Sequence, residues 1–275
     1  MASLKEVKGR IASVNNTRKI TSAMKMVASA KLHKAQAAIE SMLPYERRLH
    51  HILTDFMSNC TEVTSPFIVK REVKKVAVVV FASNTSLCGG FNANVIRHLV
   101  DLLAEYKPLG LENILVFPVG KKVADAVRKL GFRIEGDFQH MADKPSYQEA
   151  ADLAADLMKR FLHGDVDKVE LLYNHFKSTA SQILTRETYL PIDLNNEKKE
   201  EERTIDYILE PSAEELMQEM LPKVLRMKMF TVLLDSNAAE HAARTMAMQI
   251  ATDNANELLQ ELTVMYNNCL LYTSD

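Results

Sequence analysis

The sequence predicts an α/β protein: a long antiparallel coiled coil of N- and C-terminal helices plus a central Rossmann-like α/β domain. Three observations carry this. Both ends place apolar residues in alternating steps of three and four, the spacing of a heptad seam. The middle switches to short β-branched runs alternating with amphipathic stretches, the pattern of a sheet with right-handed crossovers. Gly and Pro are scarce, eight each in 275 residues, and 14 Met accompany no Trp, which favours long helices over loops.

The first helix takes its register from Leu4, Val7, Ile11 and Val14, and continues through Arg18, Thr21, Lys25, Ala28, Leu32, Ala35, Ile39 and Met42 toward Phe56. This seam is polar or small in its middle. Around Arg18 to Lys25 the apolar stripe is expected to shift sideways to Ile20, Met24 and Val27, and Pro44 to kink or split the helix. At about 1.5 Å per residue, Leu4 to Met57 would reach roughly 80 Å. A helix that long must project from the body.

The last helix opens on a capping box, Ser212-Ala213-Glu214-Glu215 after Pro211. Its seam runs from Met217 through Met227, Leu234, Ala238, His241, Thr245, Met248, Ala255 and Leu262 to Tyr266, with a bend possible at Pro222. Neither stripe is wide enough to hold a lone helix in water, so the two helices are expected to pair, antiparallel. Small seam residues such as Ala28, Ala35, Ala238 and Ala255 allow close approach. The expected divisions are residues 1–65 as N-terminal shaft helix, 66–210 as α/β foot domain and 211–275 as C-terminal shaft helix.

Between them, Val73–Phe81 reads as a buried strand, Asn92–Tyr106 as a helix, Asn113–Val119 as a strand and Lys121–Leu130 as a short helix. Phe132–Phe138 reads as a third strand and Ser146–Leu162 as an amphipathic helix. Lys168–Phe176 and Gln182–Leu190 are strands that can pair as a hairpin. Asn195–Arg203 is a charged loop, and Thr204–Leu209 looks like a last strand.

Composition excludes several functions. With 34 Lys+Arg against 36 Asp+Glu the net charge is −2, without the basic excess of a nucleic-acid binder. The longest apolar run, Val76–Ala82, falls far short of the roughly 20 residues that span a bilayer. The N-terminus shows no apolar h-region of a signal peptide. Cys60, Cys88 and Cys269 are odd in number and widely spaced, so neither a disulfide framework nor a zinc site is expected.

Candidate chemistry is thin. Ser86-Leu87-Cys88-Gly89-Gly90-Phe91-Asn92 follows the first strand, where α/β folds place ligand loops, but it matches neither dinucleotide nor P-loop glycine spacing. It reads as a tight strand-to-helix turn; as partners for a Cys88 nucleophile, Asn84, His98 and His140 stay open. His50-His51 cannot face one metal from adjacent helical positions. His241, on the seam, reads as packed. No catalytic residue, metal site or cofactor is expected.

Other segments resemble a known family. Met1 to Lys31, which includes Asn15-Asn16-Thr17-Arg18-Lys19-Ile20-Thr21 and Ala23-Met24-Lys25-Met26-Val27, is similar to the start of the gamma subunit of F-type (F1Fo) ATP synthase, bacterial type. So are the Ser86–Asn92 turn, Tyr173-Asn174-His175-Phe176, Glu240-His241-Ala242-Ala243-Arg244-Thr245-Met246-Ala247-Met248, Ala251-Thr252-Asp253-Asn254-Ala255, and Glu261-Leu262 with Tyr266-Asn267. The resemblance implies a central-stalk rotor that couples proton-driven rotation of the c-ring to ATP synthesis in the alpha/beta hexamer. Partners would be the alpha and beta subunits, the epsilon subunit and the c-ring, at the cytoplasmic face of the bacterial inner (plasma) membrane, peripherally. It also implies rotor–stator contacts at Met24, Lys25, Glu240 and Arg244, the last reaching outward to a beta-subunit carboxylate, and a foot contact toward the c-ring at Tyr207.

Two departures stand out. Asn84-Thr85-Ser86 replaces the family's Asp-Arg-Gly, and Asn268 to Asp275 replaces its Lys-x-Arg-Gln-Ala and following helix, which reads as an atypical, truncated C-terminus. The competing readings are an α/β enzyme with helical extensions and a coiled-coil scaffold without rotor function.

Overall fold

The computed structural model describes residues 3–59, 65–192 and 213–273. The capping Ser212, the charged loop 195–203, the expected strand 204–209, Tyr207 and Cys60 lie outside the described residues, as do the side chains of His50 and His51.

Helix α1 spans Leu4–Asn59 and α6 spans Ala213–Thr273. Neither Pro44 nor Pro222 splits its helix. At about 1.5 Å per residue α6 extends roughly 90 Å. The two helices run antiparallel. Thr21 and Thr252 share a hydroxyl hydrogen bond of 2.8 Å, Arg18 donates to Asn256 Oδ1 at 3.3 Å, and Leu32 and Ala35 cluster with Ala238 and Ala242. The sideways stripe does not form: Ile20 and Val27 are 60% and 59% exposed and Met24 is half-buried. The seam stays in its original register because Thr21, Thr252, Arg18 and Asn256 satisfy one another across it, so polar residues cost little there.

Between the helices lies a five-stranded sheet in the order β3-β2-β1-β4-β5. Its strands are β1 (Val76–Phe81), β2 (Ile114–Val119), β3 (Arg133–Ile134), β4 (Lys168–Phe176) and β5 (Gln182–Leu190). All pairs are parallel except the β4–β5 hairpin. Strand alternation sorts the core into two layers. Val76, Val78 and Val80 face helices α2 (Phe91–Tyr106) and α3 (Lys121–Leu130). Ala77, Val79 and Phe81 face α5 (Tyr147–His163) and α6. Leu221, Leu225, Met229 and Leu233 of α6 pack in that second layer. One continuous helix thus closes the sheet's core and supplies half of the coiled coil.

Two elements differ from expectation. Strand β3 is only two residues long because Gly136, at φ +76, turns the chain where the Phe138 ring would collide with any Cβ, at 2.5 Å. A short helix, α4 (Gln139–Asp143), follows the expected strand segment Phe132–Phe138.

Candidate functional site: the helix pair and its junction with the sheet

Parallel sheets bind ligands at the carboxyl ends of their strands. After β1 and β2 that edge is filled by the chain itself. After β1, Leu87 at φ +67 and Gly89 at φ +58 fold the Ser86–Asn92 segment into the expected tight turn. Asn92 stitches it: its Oδ1 accepts from the Ser83 N–H at 3.0 Å, and its Nδ2 donates to Ser83 Oγ at 2.8 Å and to Cys88 Sγ at 3.1 Å. Cys88 is buried with Phe91 against Ala239 and Ala243 of α6. None of the open partners reaches its sulfur. Asn84 accepts from the Lys121 N–H and donates to the Gln139 carbonyl, His98 contacts the Asn94 carbonyl, and His140 contacts Glu149. At the end of β2, Gly120 lies so close to Ala82 that a Cβ would sit 2.2 Å from its carbonyl oxygen, leaving no room for a ligand between the two strands.

Helix α6 holds this edge through Asp235, Arg244 and Asn237, the last donating to the Ala142 carbonyl of α4 at 2.9 Å. Asp235 accepts from the Phe176 N–H at 2.8 Å through Oδ1, and from His175 Nδ1 at 2.6 Å through Oδ2. About two and a half turns on, Arg244 donates to the Ser86 carbonyl, to Thr85 Oγ1 at 2.9 Å and to Glu240 Oε1 at 2.6 Å. Between them Phe176 packs on both the Leu32–Ala238 and the Cys88–Ala239 clusters.

The guanidinium of Arg244 is therefore turned inward in the free chain rather than outward. Its side chain and that of Glu240 are each 11% exposed. Burial pushes the Glu240 carboxyl above the usual range, outweighing the pull of its Arg244 hydrogen bond, and Asp143 adds to the rise. Burial, then the charges of Lys31 and Arg244, drive the His241 imidazole down to about 4. His241 is packed on the seam, as the sequence predicts, with Nδ1 unpartnered. Met24 and Lys25 lie farther along the helix pair, half-buried beside exposed Ile20, Met26 and Val27.

A second polar group escapes sequence reading. Glu170 in β4 is 2% exposed by side chain and is held by Lys168 at 2.6 Å, Arg186 at 3.0 Å and the Tyr106 hydroxyl at 2.9 Å. Burial raises its pKa, but the hydrogen bonds of Arg186 and Lys168 outweigh it and leave the carboxyl below the usual range. Arg186 also reaches Glu105, so the network ties the β4–β5 hairpin to α2. The signal available was a lone charge flanked by core residues in a buried strand.

Among the described residues, no group of three or more His, Cys, Asp or Glu is placed to hold a metal, and no helix is long and apolar enough to cross a membrane. An edge closed after β1 and β2 by the chain's own side chains, joined to two helices that outrun the sheet, fits a stalk-type, mechanical class of protein. Comparison with known proteins makes this specific. Residues 3–269 match the family model described as ATP synthase. The chain is 81% identical to the ATP synthase gamma chain of Phocaeicola vulgatus, covering 97% of this chain and 93% of that one. It is 61% identical to the gamma chain of Bacteroides thetaiotaomicron with the same coverage. In fold it is similar to the rotor of the Euglena gracilis mitochondrial ATP synthase, with TM-score 0.64 at 18% identity over 99% of each chain. It is also similar to the central stalk and c-ring structure from Tetrahymena thermophila, with TM-score 0.57 at 23% identity, covering 84% of this chain and 99% of that one. The chain belongs to the ATP synthase gamma chain family, the non-catalytic central-stalk rotor subunits of that enzyme.

Proposed function

We propose that this chain couples proton-driven rotation of a c-ring to the catalytic cycle of an alpha/beta hexamer, at the cytoplasmic face of the bacterial inner membrane, with an epsilon subunit as its further partner. The observation that carries the reading is the helix pair. It extends past the sheet as a narrow rod whose seam is closed by Thr21–Thr252 and Arg18–Asn256, while Ile20, Val27, Ile250 and Leu258 stay exposed. Exposed apolar residues grouped on one projecting element mark a surface made for another protein.

Within this reading, residues 1–65 and 211–275 form the shaft and 66–210 the foot. Met24 and Lys25, half-buried beside exposed Ile20, Met26 and Val27, are proposed as stator contacts on that surface. Glu240 and Arg244 serve as stator contacts only by exchanging the bonds they make to each other and to Thr85 and Ser86, so any stator carboxylate competes with the internal ones. Tyr207 is proposed as the foot contact to the c-ring from the family resemblance alone.

Tagged chain purified from its host tests the proposal. Recovery of alpha, beta and epsilon subunits in a fixed ratio, with ATP-driven rotation of a bead on the foot, is expected. A homodimer free of these subunits would instead establish the coiled-coil scaffold.

A further inference from the structure

We infer that the carboxyl edge of the sheet is a torque joint, in which Asp235 and Arg244 of α6 act as positioning residues that lock the α/β domain to the helix pair in rotation. The inference rests on the rotor reading, and adds which atoms carry load between its two parts.

Up to this edge the core fixes α6 to the sheet: Leu225, Met229 and Leu233 pack against it, Tyr189 donates to the Leu225 carbonyl at 2.8 Å, and Lys228 pairs with Glu187 at 2.8 Å. At the edge itself the apolar contacts thin to Ala239 and Ala243 against Cys88, Phe91 and Phe176, and non-directional contacts resist sliding weakly. The directional bonds sit at either side of them. Asp235 grips the end of β4 at the Phe176 N–H and His175, and Arg244 grips the loop after β1 at Ser86 and Thr85. The strands are neighbours in the sheet, so the two grips fix two adjacent points of one rigid body to one helix. With the core below them and Asn237, which donates to the Ala142 carbonyl at 2.9 Å, the two grips carry the helix's hold to the outer end of the strands and stiffen it against twisting. Arg244 is further held by Glu240 on its own helix, which fixes the fork that holds the loop.

The geometry also supplies a covalent substitute. A Cβ built at Gly89 lies 3.8 Å from the Cβ of Ala247, inside the roughly 3.5–4.5 Å spanned by disulfides. Gly89→Cys with Ala247→Cys therefore places a reversible bond across the same joint. Because φ at Gly89 is +58, a side chain there is strained, so oxidised and reduced forms of one variant are the proper comparison.

The experiment uses the chain assembled with alpha and beta subunits on an immobilised hexamer. A bead is tethered through a biotin-acceptor peptide inserted at the exposed turn Lys107–Leu109. The angular variance of the bead is read at catalytic pauses. Asp235→Ala with Thr85→Val removes a bond from each grip while leaving Arg244 in place, and is expected to raise that variance at least about twofold, with Asp235→Asn alone raising it less because its oxygen still accepts from Phe176. Adding the cysteine pair should return the variance to the wild-type width when oxidised, and dithiothreitol should broaden it again. Unchanged variance in Asp235→Ala/Thr85→Val, or a formed disulfide that does not narrow it, would overturn the joint. If the unmodified chain turns no bead, it is the rotor reading that fails. The joint is then read in the full free chain by amide exchange at Phe176 and residues 86–90. Exchange there at least about tenfold faster in Asp235→Ala/Thr85→Val supports it, and equal exchange refutes it.

Discussion

Lowering the pH from about 7.5 to about 5.0 should destabilise this chain through one buried imidazole on the helix seam, and His241→Leu should remove that sensitivity. An ordinary imidazole titrates at 6.5, whereas His241 is held at about 4 by burial and by Lys31 and Arg244. Between those values the unfolded chain carries a proton that the folded chain refuses, so stability falls as pH falls. Each unit is worth about 1.4 kcal/mol, which by about pH 5 amounts to about 2 kcal/mol. Leucine fills a similar volume and leaves no polar atom behind. Because His241 Nδ1 is buried without a partner, the variant should also gain about 1 kcal/mol at neutral pH. Glu240, whose carboxyl is raised, contributes with the opposite sign, but it is present in both proteins and cancels in the comparison. The assay is urea unfolding followed by circular dichroism for both proteins at the two pH values. A stability difference between wild type and His241→Leu that is the same at both would refute the assignment of a neutral, desolvated imidazole to the seam.

Three further outcomes are expected. Arg244→Ala should lower stability by about 2–3 kcal/mol, seen as an earlier unfolding midpoint, because it strands the buried Glu240 carboxyl and frees the loop at Thr85; a loss confined to coupled synthesis, with the midpoint unmoved, would mean that the guanidinium faces outward in solution. Glu170→Ala should cost about 3–5 kcal/mol by leaving Lys168 and Arg186 facing each other, while Glu170→Gln, which keeps a hydrogen-bond acceptor, should cost less in the same unfolding assay. Calorimetry of the chain free of alpha and beta subunits should give no micromolar ATP binding, since the turn after β1 has no phosphate-cradling glycine pattern and is filled by Asn92 and Cys88.

The elements were legible where local pattern and tertiary environment agree. Both long helices follow directly from periodicity, and the β4–β5 hairpin and the buried strand expected over Val73–Phe81 follow from apolar, β-branched runs; the strand forms over Val76–Phe81, where every other residue meets a different core layer. The same periodicity misplaced an apolar stripe at Ile20 and Val27. It registers that a side chain is apolar but not whether a partner covers it. Strand β3 failed because Gly136 ends it through a contact with Phe138 that spacing does not reveal. The junction was the least legible part. Arg244 meets Ser86 across 158 positions and Asp235 meets His175 across 60, and no local signal announces an encounter between residues so far apart. The segments that carry them were marked only by family resemblance, which indicated that those residues matter without indicating that their bonds turn inward.

The pairing of α1 with α6 also dictates an order of events during synthesis. Arg18 leaves the ribosome 238 residues before Asn256, the residue it bonds. At cellular elongation rates the first helix waits on the order of ten seconds or more for its partner. For most of that interval Leu32 and Ala35 have nothing to bury against, and α5's face of the sheet lacks Leu221, Leu225 and Met229. The strands can pair early, since β1, β2 and β4 all precede α6, but their second layer stays open until α6 emerges. The last helix therefore closes two unfinished surfaces in a single docking step. The nascent chain is most exposed to misassociation just before that step, and the holding action of a chaperone would matter most there.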